Sequence, residues 1–271
     1  MDSETALITA MYEKDDAEVV QILERGGLDL KEKHASYGVS MLFLAAQSGN
    51  DNIIRELLKH GVDVNATRPS SAALPALHRA AREGHKDTVR LLLEKNAIVD
   101  LKDTKGKTAW IYSITNKQWE TAKVLRDAKA DPNTRALDGV NPLYSAASIG
   151  DEKTVDFLLE QGTDPSILTN SKWAPLHSAA AGGHRKVVEL LLDKGAKPSP
   201  LSETDLTPLD KAREKTNNDE VLKLLESRQA QPGSDLESTD VCFFDLPGSE
   251  NGQTAVPLKS SQWTQELVVG N

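Results

Sequence analysis

The sequence has little of several features that define common protein classes. One cysteine in 271 residues excludes an intramolecular disulfide framework and is typical of a reducing compartment. Aromatic residues make up only 4%, and no apolar stretch approaches the roughly 20 residues that a membrane span requires. The N-terminus lacks the basic start and the apolar core of a signal peptide. These absences predict an intracellular protein without membrane insertion, cytoplasmic rather than nuclear because no cluster of lysines and arginines is evident.

Positive charge is also in short supply. The net charge of −9 argues against nucleic acid as a main partner. Much of the excess lies in residues 230–271, which hold six acidic residues and one lysine. That segment is rich in Ser, Gly, Pro and Gln and has no helical period, so it is predicted to be a flexible acidic tail. Its two apolar islands, 241–246 (VCFFDL) and 263–269 (WTQELVV), are either leftover hydrophobic residues or short motifs that dock on a partner or on the chain itself.

What the sequence does contain is one short pattern in seven copies. The clearest copies are 75–81 (PALHRAA), 174–180 (APLHSAA) and 207–209 (TPL). The leucine-type position recurs at steps of 35, 35, 33, 33, 33 and 33 residues, at Leu7, Leu42, Leu77, Trp110, Leu143, Leu176 and Leu209. A period near 33 with a T-P-L-H-x-A core and a later G-H resembles the ankyrin-repeat family over residues 3–228. The approximate repeats are 3–34, 35–67, 70–102, 103–135, 136–168, 169–201 and 202–228, of which the first and last are degenerate caps.

Local chemistry indicates how each copy folds. Thr207 is placed to cap a first helix and Pro208 fits its first position. Alanine pairs in the first helices allow a neighbouring helix to approach closely, and the second helices carry solid apolar runs that must be covered. Gly61, Gly162 and Gly195 follow the second helices, where a left-handed residue can end them. The predicted fold is an all-α ankyrin-repeat solenoid of helix-turn-helix repeats with short β-hairpin loops, forming one domain over residues 1–229.

Candidate catalytic and metal-binding motifs are explained by the repeat. The end of a phosphate loop is suggested by 106–108 (GKT), but Leu101 stands where the first glycine is required, and Thr108 is placed as a helix cap. The histidines of the repeat lack zinc-ligand spacing, and the resemblance implies that they make hydrogen bonds tying loops to helices. Cys242 lies in an acidic segment that disfavours its thiolate. We therefore predict no enzyme activity, no metal and no cofactor.

A binding surface is expected on the hairpin tips and the exposed face of the first helices, as the resemblance implies. The residue before each T-P-L element forms what we call the hairpin row, comprising Val39, Leu74, Lys107, Val140, Trp173 and Leu206. Five of these six are apolar, so they form an interface or each covers its own hairpin. Trp173 is the strongest single candidate. The helix-face candidates are Arg82, Glu83, Asn116 and Ile149, with mere solvation as the alternative.

The repeat at 103–135 departs most from the pattern. Trp110 replaces the leucine, while Lys117 and Lys129 stand where glycines usually fall. Because a lysine in a left-handed turn costs on the order of 1 kcal/mol, these turns are expected to adopt another shape. The repeat is expected to be either the weakest joint or the most specialised contact. The functional prediction is a monomeric adaptor, scaffold or inhibitor that binds one or more proteins, or alternatively a subunit that presents a substrate or partner within an enzyme or signalling complex.

Overall fold

The computed structural model describes residues 3–13, 15–25, 41–66, 74–230 and 232–233. Within these ranges the regular structure is helical and contains no strand. The helices of the described residues, α1 to α14 in chain order, span Ser3–Glu13, Asp16–Arg25, Met41–Ser48, Asp51–Lys59, Ala76–Glu83, Lys86–Glu94, Ala109–Thr115, Trp119–Asp127, Pro142–Ile149, Glu152–Glu160, Pro175–Gly182, Arg185–Asp193, Pro208–Arg213 and Asp219–Ser227. They form seven pairs, one for each copy of the pattern, which confirms the all-helical repeat fold.

The chain divides into two compact units. The first comprises residues 1–146 and 153–164, and the second comprises 147–152 and the residues from 165 onward. In the first unit α5 contacts both α3 and α7, and α6 contacts α4 and α8. In the second unit α11 packs on α13 and α12 packs on α14. Within each unit, first helices therefore stack on first helices and second helices on second helices.

Small and apolar side chains fill the layers between stacked helices. The alanine pairs of α5 and α11 are fully buried, with Ala80, Ala81, Ala179 and Ala180 all at 0% exposure. Trp110 is also 0% exposed although it replaces a leucine. No described helix exceeds 11 residues, which is shorter than the length at which an isolated helix is stable in water. Burial between neighbours, rather than helix propensity, therefore holds each pair in place.

Helix starts follow the predicted capping chemistry. Thr207 Oγ1 accepts a hydrogen bond from Asp210 N at 3.3 Å, and Asp210 Oδ2 accepts one from Thr207 N at 2.8 Å. Pro208 takes the first helical position of α13, where its missing N–H leaves no bond unmade. Thr108 caps α7 in the same way. The expectation that 106–108 belongs to a turn and a cap, rather than to a phosphate loop, agrees with this geometry.

Helix ends use left-handed residues, and here one expectation was wrong. Gly61, Gly162 and Gly195 have φ of 84°, 85° and 89°, as predicted. Lys117 and Lys129 also adopt the left-handed conformation, with φ of 57° and 69°, instead of another turn shape. The backbone explains why, because Lys117 N donates to the Ile114 carbonyl at 2.9 Å and the next amide donates to Ser113 at 2.8 Å. These two bonds close the end of α7 and outweigh the strain of the lysine.

Histidines tie each hairpin to the preceding first helix. His78 Nε2 donates to the Lys107 carbonyl at 3.0 Å, and His177 Nε2 donates to the Leu206 carbonyl at 2.9 Å. His177 Nδ1 also accepts from Ala174 N at 3.0 Å. The position equivalent to Ala174 in the third repeat is Pro75, which has no N–H, so His78 Nδ1 has no hydrogen-bond partner among the described residues.

A second set of histidines joins neighbouring repeats at the start of the second helix. His85 Nε2 bonds to the Gln47 carbonyl at 3.0 Å, and His184 Nε2 bonds to the Ser148 carbonyl at 3.1 Å. Each ring lies against the glycine that ends the previous first helix, and a β-carbon on Gly49 would come within 2.8 Å of His85 Nδ1. The role that the resemblance implied for the repeat histidines is therefore seen in the structure.

We predict that the stability of the protein falls in mildly acidic solution. Burial lowers the pKa of both His78 and His177 below the ordinary value of 6.5. As the pH falls below about 6.5, the unfolded chain takes up protons that the folded chain refuses, so stability present above this pH is lost. Urea unfolding at pH 8 and pH 5 should show a loss on the order of 1–2 kcal/mol. His177→Gln should reduce that difference, and an unchanged difference would contradict the assignment.

We also predict that glycine relieves the two left-handed lysines. Lys117→Gly and Lys129→Gly should each raise the free energy of unfolding by about 0.5 to 1 kcal/mol, because glycine adopts φ > 0 without steric cost. Lys102 is exposed and is not among the residues with positive φ. Lys102→Gly is the control and should be neutral or slightly destabilising. Equal effects in all three variants would show that the lysines carry no strain.

Candidate protein-binding surface

The hairpin that contains Lys107 is shaped by the side chain at its first residue. Asp103 N donates to the Lys107 carbonyl at 2.9 Å, which closes the hairpin. Asp103 Oδ1 accepts from Lys105 N and from Lys107 N, each at 2.8 Å. Thr169 and Ser202 begin the equivalent hairpins of the second unit, and the Thr169 hydroxyl accepts from Trp173 N at 3.1 Å. A short oxygen-bearing side chain thus replaces strand pairing and fixes the backbone of the residue that follows the tip.

Neighbouring hairpins are joined through their tips. In the first unit Leu137 N donates to the Lys105 carbonyl at 3.0 Å. In the second unit Glu203 N donates to the Ser171 carbonyl at 3.2 Å. These bonds and the histidine bonds set the spacing of the hairpins within each unit. They hold Lys107 next to Val140 in the first unit and Trp173 next to Leu206 in the second.

The hairpin row is half-buried wherever the structure describes it. Leu74, Lys107 and Val140 in the first unit have intermediate exposure, as do Trp173 and Leu206 in the second. Val39 lies outside the described residues. Half-burial is what both alternatives require, because a side chain that covers its own hairpin still shows its outer part to solvent. The row therefore remains a predicted interface whose segments are described unit by unit.

Trp173 is the row residue with the most elaborate support. Its ring lies 5.3 Å from the His177 ring, centroid to centroid, at a tilt of 49°. The Lys211 amino group lies 5.3 Å from the centroid of the indole six-membered ring system and also donates to both carboxylate oxygens of Glu214 at 2.8 Å. Contacts on several sides hold the indole in one orientation while part of it stays exposed. A large aromatic side chain that is already ordered loses little entropy when a partner covers it.

An aromatic cluster in the first unit was not found from the sequence. The Tyr112 hydroxyl donates to Asp103 Oδ2 at 2.7 Å, and the ring meets that of His78 edge-on at 5.9 Å. Lys107 Nζ lies 5.9 Å from the Tyr112 ring centroid. Burial and the bond to Asp103 raise the pKa of Tyr112, so the phenol stays a neutral donor. Tyrosine two residues after the leucine-type position was the available signal, but its meaning depends on the neighbouring hairpin.

The helix-face candidates do not form one cluster. Arg82 is exposed in the first unit, and Glu83 pairs with Arg79 at 3.4 Å. Asn116 turns its side-chain amide back to the Tyr112 carbonyl at 2.8 Å, so it is engaged in ending α7. Ile149 is 73% exposed and belongs to the second unit. Of the four, Arg82 and Ile149 are thus the most accessible to a partner.

Leu137 is an exposed apolar residue that the sequence reading did not single out. It stands at the tip of the hairpin 136–140 and is 72% exposed. The same backbone amide that joins the tips places this side chain beyond Lys105. The alternation of the hairpin hid it, because only the residue before the T-P-L element was considered. Leu137 therefore adds a second apolar contact to the first unit's segment of the row.

Searches for other kinds of site give negative results over the described part of the chain. No three or more His, Cys, Asp or Glu side chains are grouped there so that they could hold a metal ion. None of the helices in those ranges is both long enough and apolar enough to cross a bilayer. The predicted absence of a metal or cofactor stays a prediction.

Comparison with known proteins identifies the repeat. A family model described as ankyrin repeats in three copies matches residues 70–136 and 143–240, and a second ankyrin-repeat model matches 42–93. The chain is 26% identical to an ankyrin repeat domain of known crystal structure from Acinetobacter baumannii AYE. That match has a TM-score of 0.62 and covers 70% of this chain and 98% of the other.

Among curated relatives, the ankyrin repeat and KH domain-containing protein mask-1 of Caenorhabditis elegans is 29% identical over 57% of this chain. Inversin of Gallus gallus is 44% identical over 23% of this chain. The chain spans only 6% of the length of each of these relatives. What is shared is therefore the repeat and not the whole protein. On the family match, the stacked helix pairs and the period of the sequence, the chain belongs to the ankyrin-repeat family.

Proposed function

We propose that this chain is a non-enzymatic adaptor, scaffold or inhibitor that binds a partner protein through its hairpin row. Ankyrin repeats are generally protein–protein interaction modules. The observation that carries the proposal is the half-exposed Trp173 ring, which His177 and Lys211 hold in place. Tryptophan is enriched among residues that dominate binding energy, especially where neighbouring groups exclude water from it.

The chemistry around the row favours a partner with an apolar segment that carries an acidic group. Leu74 and Val140 supply apolar contacts in the first unit, and Lys107 between them in sequence supplies a positive charge. The Lys107 amino group lies near the Tyr112 ring, a placement that leaves it available to a carboxylate while its stem covers apolar surface. In the second unit Lys211 stands beside Trp173 in the same way.

The same features argue against other partner classes. Exposed charges of both signs alternate on the first helices, as at Arg82 and Glu83. A surface without a field of one sign neither steers a polybasic peptide nor neutralises a phosphate backbone. The chain is proposed to be monomeric by itself and without catalytic activity, since its buried histidines are engaged in backbone bonds.

We predict that Trp173→Ala weakens binding of the partner by about 30-fold or more, the effect of losing an interface residue worth 2 kcal/mol. The partner is identified by affinity purification with the intact chain and mass spectrometry, and the dissociation constant is then measured with the purified partner. Circular dichroism and urea unfolding verify that the variant remains folded. Retention of full affinity by a folded Trp173→Ala chain would reject the row as the interface.

Ile98→Ala is the matched control. Ile98 is 53% exposed in the loop after α6 and is outside the hairpin row, so its truncation removes exposed apolar area without touching Trp173. This variant should bind like the unmodified chain. The alternative role, a subunit that presents a substrate within an enzyme complex, predicts that a catalytic subunit co-purifies with the chain and also depends on Trp173. An activity that persists in the isolated chain and disappears on one substitution would reject the non-enzymatic assignment.

A further inference from the structure

The last hairpin of the array has a second copy later in the sequence. Residues 236–245 (LESTDVCFFD) follow residues 201–210 (LSETDLTPLD) at a step of 35 residues, with Leu, Thr, Asp and Asp identical at four positions. The remaining acid and serine are exchanged, and Val241 and Phe244 stand for Leu206 and Leu209. A step of 35 also separates the first three leucine-type positions. The family match continues to residue 240, beyond the end of the seventh helix pair.

The chain also leaves α14 as it leaves α12. Ala196 N donates to the Leu191 carbonyl at 2.9 Å after α12, and Ala230 N donates to the Leu225 carbonyl at 3.0 Å after α14. Ala196 and Ala230 are buried to a similar degree, at 6% and 9% exposure. In the interior of the second unit this turn leads to a hairpin. The local geometry after α14 is therefore that of a chain entering a further repeat.

Asp210 holds the continuing chain at the hairpin side of the seventh repeat. Its Oδ2 accepts from Gly233 N at 2.9 Å. Asp210 stands where His177 stands in the preceding repeat, and His177 also binds the backbone of the repeat that follows it. Gly233 lies so close to the hairpin 202–206 that a β-carbon there would collide with the Asp205 carbonyl oxygen. The backbone is thus delivered beside the last described hairpin.

We propose that residues 236–246 form an eighth hairpin and helix start that docks on the hairpin 202–206 and on the N-terminal end of α13. In this arrangement Phe244 takes the place of Leu209, which is 1% exposed in its own repeat. Val241 takes the place of Leu206 and lengthens the hairpin row beyond Trp173. That last consequence rests on the proposed function, whereas the docking does not. The segment 241–246 is then an extension of the array instead of a free acidic tail.

The end of α13 limits how far this extension runs. The second alanine of the pair, Ala180 in α11, is replaced by Arg213 in α13, which is half-exposed and lies 3.9 Å from Glu226. A side chain of this size prevents the close helix approach that the alanine pairs allow. The eighth copy therefore ends as a half repeat, with a hairpin and an apolar anchor but without a full helix pair. A polar terminal cap is what a solenoid requires at its end.

The single cysteine tests this proposal directly. Cys242 takes the position of Thr207, which is 0% exposed. In the intact folded chain, a thiol-specific reagent such as dithionitrobenzoate should label Cys242 at least about tenfold more slowly than in urea, because labelling then requires local opening. Phe244→Asp should bring the rate close to that of the unfolded chain. Labelling of the unmodified folded chain at the unfolded rate would overturn the proposal.

A second comparison separates an eighth hairpin from docking elsewhere on the array. Gly233→Ala should displace the chain from the Asp205 carbonyl and accelerate labelling of Cys242, while Gly248→Ala should not. By the register of residues 202–206, in which Ser202 N bonds to the Leu206 carbonyl and Asp205 N to the Ser202 carbonyl, the amides of Glu237 and Asp240 should be protected from hydrogen exchange. Protection of Cys242 that ignores Gly233→Ala, or that occurs without these two amides, would show a different docking site. None of these measurements needs the partner, so their outcome is independent of the Trp173→Ala binding test.

Discussion

The structure depends on the close approach of successive first helices. A pair of helices of six to eleven residues cannot bury enough surface to be stable by itself. The alanine pairs remove the side-chain bulk that would keep the next helix away, and their full burial within α5 and α11 shows that the approach is realised. Every other feature of a repeat serves this contact: the caps satisfy the helix ends, the left-handed residues turn the chain, and the histidines hold the hairpins.

The hairpins inherit their geometry from that stacking. Because first helices lie against each other within a unit, the loops at their N-terminal ends come close enough for tip-to-tip backbone bonds, as between Leu137 and Lys105. His177 carries the restraint from helix to hairpin and, in the same place, supports the Trp173 ring. The proposed binding surface is thus attached to the parts of each repeat that are held most firmly. A partner would meet side chains that are already ordered.

Deviations from the repeat have separate physical outcomes. Pro75 removes a backbone donor and leaves His78 Nδ1 without the bond that His177 makes. Lys117 and Lys129 take the left-handed conformation of the glycines that they replace. Trp110 is accommodated completely within the layer, at 0% exposure. A periodic scaffold therefore absorbs irregular residues when the two neighbouring repeats restrain the backbone, and the irregular repeat keeps the shape of the others.

The sequence by itself determined the family, the number of helix pairs, the caps at Thr108 and Thr207 and the glycine helix ends. These properties depend on residues close in the chain and on a period that repetition makes unmistakable. Tertiary structure alone decided the conformation of Lys117, the exposure of Leu137 and the surroundings of Tyr112 and Trp173. Each of these depends on groups about 30 or more residues away or on competition between strain and hydrogen bonding, as in the bond from Leu137 N to the Lys105 carbonyl. Local patterns specify which elements form, whereas the packing of one repeat on the next specifies which side chains remain for a partner.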